Sequence, residues 1–296
     1  MPDKLADIGA PLFCPDDGGP LRYGNDHLLC SACGRRFPIL GGEIVDLLPT
    51  EPTEIRAGAT SDEYRQGYLK EFANRLRLDE HARGWGAVEA VPPYWLARKA
   101  RQLRQALPLI LDSACPSDLV LCDLAAGAGF YSLEYARHFQ YVLHCDLSAA
   151  AISYAYFRAR KSGIRNMVFL RVDYLRPPFR HSLERVLCLD ALIRGQAHET
   201  MLLTAIKESL APSGVALVDF HNWWHNPLRR IGLLTDNFRA NRSYTRRETE
   251  ALLRAAGVSR YDYAAFHQEF DRTTKYGPLL AGLVPPTRFM YRLRGL

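Results

Sequence analysis

Beyond Asp118 the chain alternates between short unbroken apolar runs and longer stretches in which apolar residues return every three or four positions. The runs fall at 119–125, 141–147, 167–172, 185–192 and 214–220. Runs of this length between polar turns predict buried strands, and the intervening segments predict helices. Strand, helix and strand repeated in this way predict an α/β fold with a mostly parallel sheet covered on both faces. Thr245, with Glu248 three residues on, opens a further helix that runs to Ala256 and closes at Gly257. Two β-like segments follow, 258–270 and 287–294, placed to pair antiparallel and close the sheet.

The first third reads differently. From Ser61 to about Leu111 apolar residues such as Tyr64, Tyr68, Phe72, Trp95, Leu103 and Leu107 recur at helical spacing, broken at Gly84-Trp-Gly86 and Pro92-Pro93. Two or three helices are expected there, and Tyr64, Tyr68, Trp85 and Trp95 form either a lid over the sheet edge or a plain packing stripe. Residues 12–49 combine Gly, Pro and paired cysteines with short strand-like runs, the pattern of a small β module. The organisation read from the pattern is therefore a module over 10–50, a helical region over 60–115 and an α/β domain over 118–296.

Composition narrows the class without naming a chemistry. An apolar content of 48% is that of an ordinary globular chain. The net charge is +6, and from Trp223 onward Lys and Arg outnumber Asp and Glu by about seven. Such a bias fits either an anionic partner or an Arg-rich solvated face. No run reaches the roughly 18 apolar residues of a membrane span, and the N-terminus lacks the order of a secretory signal. A cytoplasmic protein without a membrane partner is expected. The seven cysteines divide into Cys14, Cys30 and Cys33 near the N-terminus and Cys115, Cys122, Cys145 and Cys188 later, which is no disulfide framework. Cys122, Cys145 and Cys188 fall inside predicted strands and read as small core hydrophobes.

The segment from Leu119 to Ala136 is a strand running through Asp123-Leu-Ala-Ala-Gly-Ala-Gly129 into a helix. Small residues at Ala125, Gly127 and Gly129 let a ligand approach the backbone. The next strand ends at Asp146, about 20 residues past the loop, where a carboxylate accepts hydrogen bonds from a ribose diol. Nicotinamide sites share that acid, but a pyrophosphate-binding loop has a third glycine where this chain has Ser132. Asp123 at the head of the loop repels pyrophosphate and suits the amino group of a methionine moiety.

The loop resembles the Asp-Leu-Gly-Cys-Gly-Thr-Gly signature of class I S-adenosylmethionine-dependent methyltransferases, with Ala125 where that family usually has Gly. The resemblance covers about 118–296 and implies a seven-stranded Rossmann-like sheet, mostly parallel with the last strand antiparallel. It implies a cofactor site comprising Asp123, Ala125, Gly127, Gly129, Asp146 and Leu147. It also places Asp173 and Tyr174 by the adenine, Asp190 by the transferred methyl, and Leu210-Ala-Pro-Ser-Gly214 at the turn into the fifth strand.

Cys14-Pro-Asp-Asp17 and Cys30-Ser-Ala-Cys33 have the spacing of two zinc knuckles, with Asp17 in place of a fourth cysteine. His27 is the alternative fourth ligand. Two readings stand: a structural zinc site at Cys14, Asp17, Cys30 and Cys33, or a metal-free packing module. The segment resembles the zinc ribbons attached to many bacterial methyltransferases and to tRNA-methyltransferase activator subunits.

Methyl transfer is an in-line substitution that needs alignment, and a base only where the acceptor must lose a proton. The candidates for base or orienting group are His198, after the fourth strand, and His221, Asn222 and His225, after the fifth; the alternative for each is a hydrogen-bonded loop residue. Three functional readings follow. One is methylation of a small molecule, aromatic or of secondary metabolism. The second is methylation of RNA, which the basic C-terminal third and the ribbon would serve, although no Asn/Asp-Pro-Pro-aromatic motif follows the fourth strand. The third is a non-catalytic scaffold that kept the fold.

Overall fold

The computed structural model describes residues 8, 11–40, 43–55, 62–76, 93–192, 195–225, 243–266, 286 and 288–295. The N-terminal strands are β1 (Leu21–Tyr23), β2 (His27–Cys30), β3 (Arg36–Leu40) and β4 (Ile44–Asp46), followed by helices α1 (Asp62–Ala73) and α2 (Pro93–Leu111). The α/β repeat comprises β5 (Val120–Leu124), α3 (Phe130–Tyr135), β6 (Tyr141–Asp146), α4 (Ala149–Lys161), β7 (Met167–Arg171), β8 (Leu183–Leu192), α5 (Gln196–Ser209) and β9 (Leu210–His221). After it come α6 (Arg246–Ala255), β10 (Tyr261–Phe266) and β11 (Arg288–Arg294).

The strands form one sheet in the order β1-β2-β3-β4-β7-β6-β5-β8-β9-β11-β10. β5 to β9 pair parallel, as apolar runs joined by crossover helices require. β11 inserts antiparallel between β9 and β10. Seven strands were expected, but among the described residues the sheet has eleven, because β4 pairs parallel with β7 and carries the β1–β3 meander with it. The β module therefore continues the sheet and covers the edge that β7 would otherwise expose.

Strand periodicity divides the core. Leu121, Val142, Leu187 and Leu217 face α2, α3 and α4 through Leu103, Tyr131 and Ile152. Cys122, Leu143, Val186 and Ala216 share the opposite face with Leu202, Leu203 and Ile206 of α5 and with Leu252 of α6. Cys122, Cys145 and Cys188 are buried and free, as core hydrophobes are. α6 has the expected capping box, with Thr245 accepting from Glu248 N–H and the Glu248 carboxylate reaching back. The region read as a turn at Leu210–Gly214 is the start of β9, which pairs Leu210 with Leu183 before a register shift to Arg185 and Val215. Strand order reverses between β5 and β8, which opens a crevice at the carboxyl ends of the strands.

Candidate active site

A cavity of about 480 Å³ occupies that crevice. Its floor is Ala125 and Gly127, from the loop after β5, and one wall is Asp146, Leu147 and Ser148 at the end of β6. Ala125 and Gly127 both have left-handed backbone, at φ +58° and +56°. A Cβ placed on Gly127 meets nothing within 4 Å, so its bare backbone borders open space. Gly129 is also left-handed, but a Cβ there would meet Ala155 Cβ at 3.0 Å and His144 Cε1 at 3.4 Å. That glycine serves the close approach of α3 to α4 and lies outside the cavity lining.

Asp146 is buried and accepts from Gly127 N–H at 2.7 Å and Ser148 N–H at 2.8 Å. Burial raises its carboxyl above the ordinary aspartate range, these N–H groups oppose the rise, and the charge of Glu71 adds to it. Glu71 enters from α1 with Tyr64, Gly67 and Tyr68, which close the cavity from the N-terminal side. The fixed loop therefore supplies one half of the site and α1 the other.

Tyr174, Asp190 and Ala191 complete the lining. Asp190 is a non-glycine residue at φ +64°, beside the register shift between β8 and β9. Strain of this kind persists where neighbours over-determine it. Here Asp190 N–H donates to Asp219 Oδ1 at 2.7 Å, Tyr131 Oη lies 3.1 Å from Asp190 Oδ2, and Arg288 pairs with both carboxylates. Burial opposes the charge on Arg288, but Asp219 and Asp190 outweigh it and hold the guanidinium above its ordinary value. Gln102 of α2 joins Tyr131 to Asp219, accepting at 2.6 Å and donating at 3.2 Å.

The remaining sequence candidates lie around the cavity without lining it. Asp123 is buried under the loop and accepts from Ser132 Oγ, which also meets His144 Nδ1 at 2.8 Å. It faces the protein interior, because the strand pleat turns it away from the crevice. Asp173 is fully buried, and its carboxylate accepts from Tyr68 O–H at 2.7 Å, from Thr53 Oγ and from Leu175 N–H at 3.0 Å. These bonds attach α1 and the 43–55 segment to the sheet. His221 Nε2 lies 3.7 Å from Asp190 Oδ1. His198 is buried behind Tyr64 and Tyr174, and Asn222 is buried and donates to Pro286 O. Trp85 and the side chains of Trp95 and His225 lie outside the described residues.

Sequence reasoning missed Arg171, Glu71, Glu199, Tyr131 and Arg288. Arg171 is 2% exposed in the middle of the sheet. Its guanidinium donates to Asp46 at 3.0 Å, Leu147 O at 3.1 Å, Glu71 O at 2.6 Å and Asn74 O at 2.8 Å. One cation thus joins β4, the end of β6 and the C-terminus of α1. A charge inside the apolar run 167–172 was the available signal.

At the N-terminus the ligand atoms of Cys14, Asp17, Cys30 and Cys33 all lie within 4.8 Å of one another. Cys14 Sγ and Cys33 Sγ are 3.9 Å apart, and Cys30 Sγ is 3.4 Å from Asp17 Oδ1. Tetrahedral zinc with Zn–S of about 2.3 Å and Zn–O of about 2.0 Å places such atoms roughly 3.8 and 3.5 Å apart, so the donor set fits that ion. His27 instead bonds Asp26 and Arg36.

Residues 121–214 match the family profile described as a methyltransferase domain. The fold is similar to phosphoethanolamine N-methyltransferase 2 of Haemonchus contortus, solved with phosphomonomethylethanolamine and S-adenosylhomocysteine, at a TM-score of 0.51 and 15% identity over 66% of this chain. The match spans 52% of that enzyme, about half its length. It is also similar to geranyl diphosphate C-methyltransferase of Streptomyces coelicolor A3(2), at a TM-score of 0.50 and 17% identity over 67% of this chain and 76% of that one. An S-adenosylmethionine-dependent methyltransferase of Mesorhizobium loti aligns at a TM-score of 0.50 and 18% identity, over 67% of this chain and 97% of that one. No curated protein matches by sequence. Among the described residues no helix is long and apolar enough to cross a membrane.

Proposed function

We propose that this chain, an enzyme with a methyltransferase domain, transfers the methyl group of S-adenosylmethionine to a small-molecule acceptor. The observation that carries the reading is the crevice where Asp146 faces the bare backbone of Gly127 at the carboxyl ends of β5 and β6. The residues fit the cofactor: Asp146 and Glu71 accept hydrogen bonds from hydroxyl or ammonium groups, and the backbone of Ala125 and Gly127 permits close approach. When bound, the cofactor supplies an electrophilic methyl group. The chain aligns the acceptor against it and excludes water, with α1 as a lid and Asp190 and His221 at the polar end. Asp123, Gly129 and Asp173 support the site from behind.

Two features favour a small acceptor over RNA. Arg292 and Arg294 are paired with Asp112 and Asp262, and Arg288 is buried between two aspartates, so the basic C-terminal strand is internally neutralised. Neutralised arginines release no counterions on contact with phosphates. The cavity, lined by three tyrosines, suits a small aromatic or polar molecule. The scaffold reading fails if the cofactor binds and turns over.

The test is calorimetric titration with S-adenosylmethionine, S-adenosylhomocysteine and NAD, on the wild type and Asp146→Ala. Binding of the first two alone, weakened at least about tenfold in the variant, supports the assignment, since two lost charge-assisted bonds are worth that much or more. Binding of NAD alone, or of none, removes it. The Cys14, Asp17, Cys30 and Cys33 cluster is assigned a structural zinc on the fit of its donor distances. One equivalent of zinc in purified protein, lost in Cys30→Ser, is the expected result; metal-free, folded wild type would exclude it.

A further inference from the structure

A chain of polar side chains leads from the cavity into the interior on the α5 side. Tyr64 of α1 and Tyr174 after β7 both line the cavity, and their hydroxyls are hydrogen-bonded to each other. Tyr64 Oη lies 3.0 Å from His198 Nε2, and His198 Nδ1 lies 3.2 Å from Glu199 Oε2. The same carboxylate accepts from Gly195 N–H at 2.8 Å and, through Oε1, from Tyr244 O–H at 2.9 Å. His198 is 1% exposed and Glu199 is fully buried. Both rings, Tyr64 and Tyr174, stand edge-on to the imidazole, with centroids 5.2 and 5.9 Å away.

Burying a carboxylate against an imidazole is costly unless every partner is in place, and here four elements supply those partners. Among the described residues Glu199 accepts from three groups, which fixes the tautomer of His198 with its proton on Nδ1 and leaves Nε2 to accept from Tyr64. Tyr64 in turn accepts from Tyr174. The order of donors is continuous from the cavity inward, which is the arrangement of a general base acting at a distance.

We infer that Glu199, His198, Tyr64 and Tyr174 form a proton relay that ionises a phenolic or enolic hydroxyl of the acceptor, an inference that rests on the methyltransferase reading above. The acceptor oxygen forms the new C–O bond as the methyl–sulfur bond breaks with its electron pair to sulfur. The hydroxyl proton passes to Tyr174 Oη, the Tyr174 proton to Tyr64 Oη, and the Tyr64 proton to His198 Nε2. The imidazolium is balanced by the Glu199 carboxylate. Tyr174 touches the acceptor; His198 and Glu199 act through the phenols and are positioning residues.

The test uses 4-nitrophenol, whose anion absorbs in the visible, added at millimolar concentration to the wild-type complex with S-adenosylhomocysteine. The relay predicts that the bound probe has an ionised-to-neutral ratio about tenfold above that of the free probe at the same pH, one unit of pKa. Tyr64→Phe keeps the ring but cuts the chain, so at saturating S-adenosylhomocysteine it should return the ratio to that of the free probe. Glu199→Gln should lower the ratio in the same direction, and its S-adenosylhomocysteine binding reports whether the interior has folded. No binding or no ionisation of the probe by the wild-type complex overturns the relay, as does equal ionisation by Tyr64→Phe. Failure of wild type to bind S-adenosylhomocysteine removes the methyltransferase reading itself, and the relay with it.

Discussion

Replacing Arg171 with Met tests whether α1 is held over the cavity by a single cation. Arg171 is buried and makes four hydrogen bonds, three of them to carbonyls of Leu147, Glu71 and Asn74 and one to Asp46. Methionine matches the stem of the side chain, so little apolar packing is lost. Removing one partner of a buried ion pair costs about 3–5 kcal/mol. Asp46 keeps 22% side-chain exposure and the carbonyls that end α1 can take water, which places the cost near the lower bound, about 3 kcal/mol. For a chain of this size that corresponds to a fall in Tm of roughly 6–12 °C. Urea denaturation reads the cost, and hydrogen exchange along 62–74 reads its location. Exchange should quicken in α1 first, and affinity for S-adenosylhomocysteine should fall about tenfold, because Tyr64, Tyr68 and Glu71 all enter from that helix. Arg171→Lys, which cannot span four acceptors, should lie between the two. A stability change under about 0.5 kcal/mol with unchanged exchange in α1 would refute the clamp.

Three further outcomes are expected. Burial holds the His144 imidazole down to about 3, from 6.5 when unfolded, so the unfolded chain alone takes up a proton between these values. Its contribution is thus present above pH 6.5 and is lost as pH falls, at up to about 1.4 kcal/mol per unit. Between pH 7 and pH 5 the wild type should lose roughly 1–2 kcal/mol more than His144→Phe in urea titrations; parallel curves would exclude the effect. Arg288→Met leaves the buried Asp219 and the half-buried Asp190 without their cation and should cost about 3–5 kcal/mol, part of it recovered by adding Asp219→Asn. A loss below about 1 kcal/mol would mean that the two carboxylates find other partners. Thr245→Ala removes the capping box and should cost about 1 kcal/mol, with faster exchange confined to the first turn of α6.

The α/β repeat was legible because its signals are local. Each apolar run of β5 to β9 names a buried strand regardless of what packs beside it, and Thr245 with Glu248 names a helix start from four residues. The loop from Asp123 to Gly129 and the acid at Asp146 were legible for the same reason, since close backbone approach and a strand-end carboxylate are written in consecutive residues. Tertiary structure decided what depends on neighbours distant in sequence. It seated Asp173 against Thr53 and Tyr68, with no place in the cavity lining, because α1 and the 43–55 segment fold back over the end of β7. It joined the β module to the sheet as four added strands through the pairing of β4 with β7, which no periodicity specifies. Arg171, Glu71 and the partners of His198 acquired their roles in the same way. Hydrophobic pattern fixes which residues leave water, but the identity of a buried charge's partner is set only when chain segments 100 or more residues apart meet, as Arg171 meets Glu71 and Asp46.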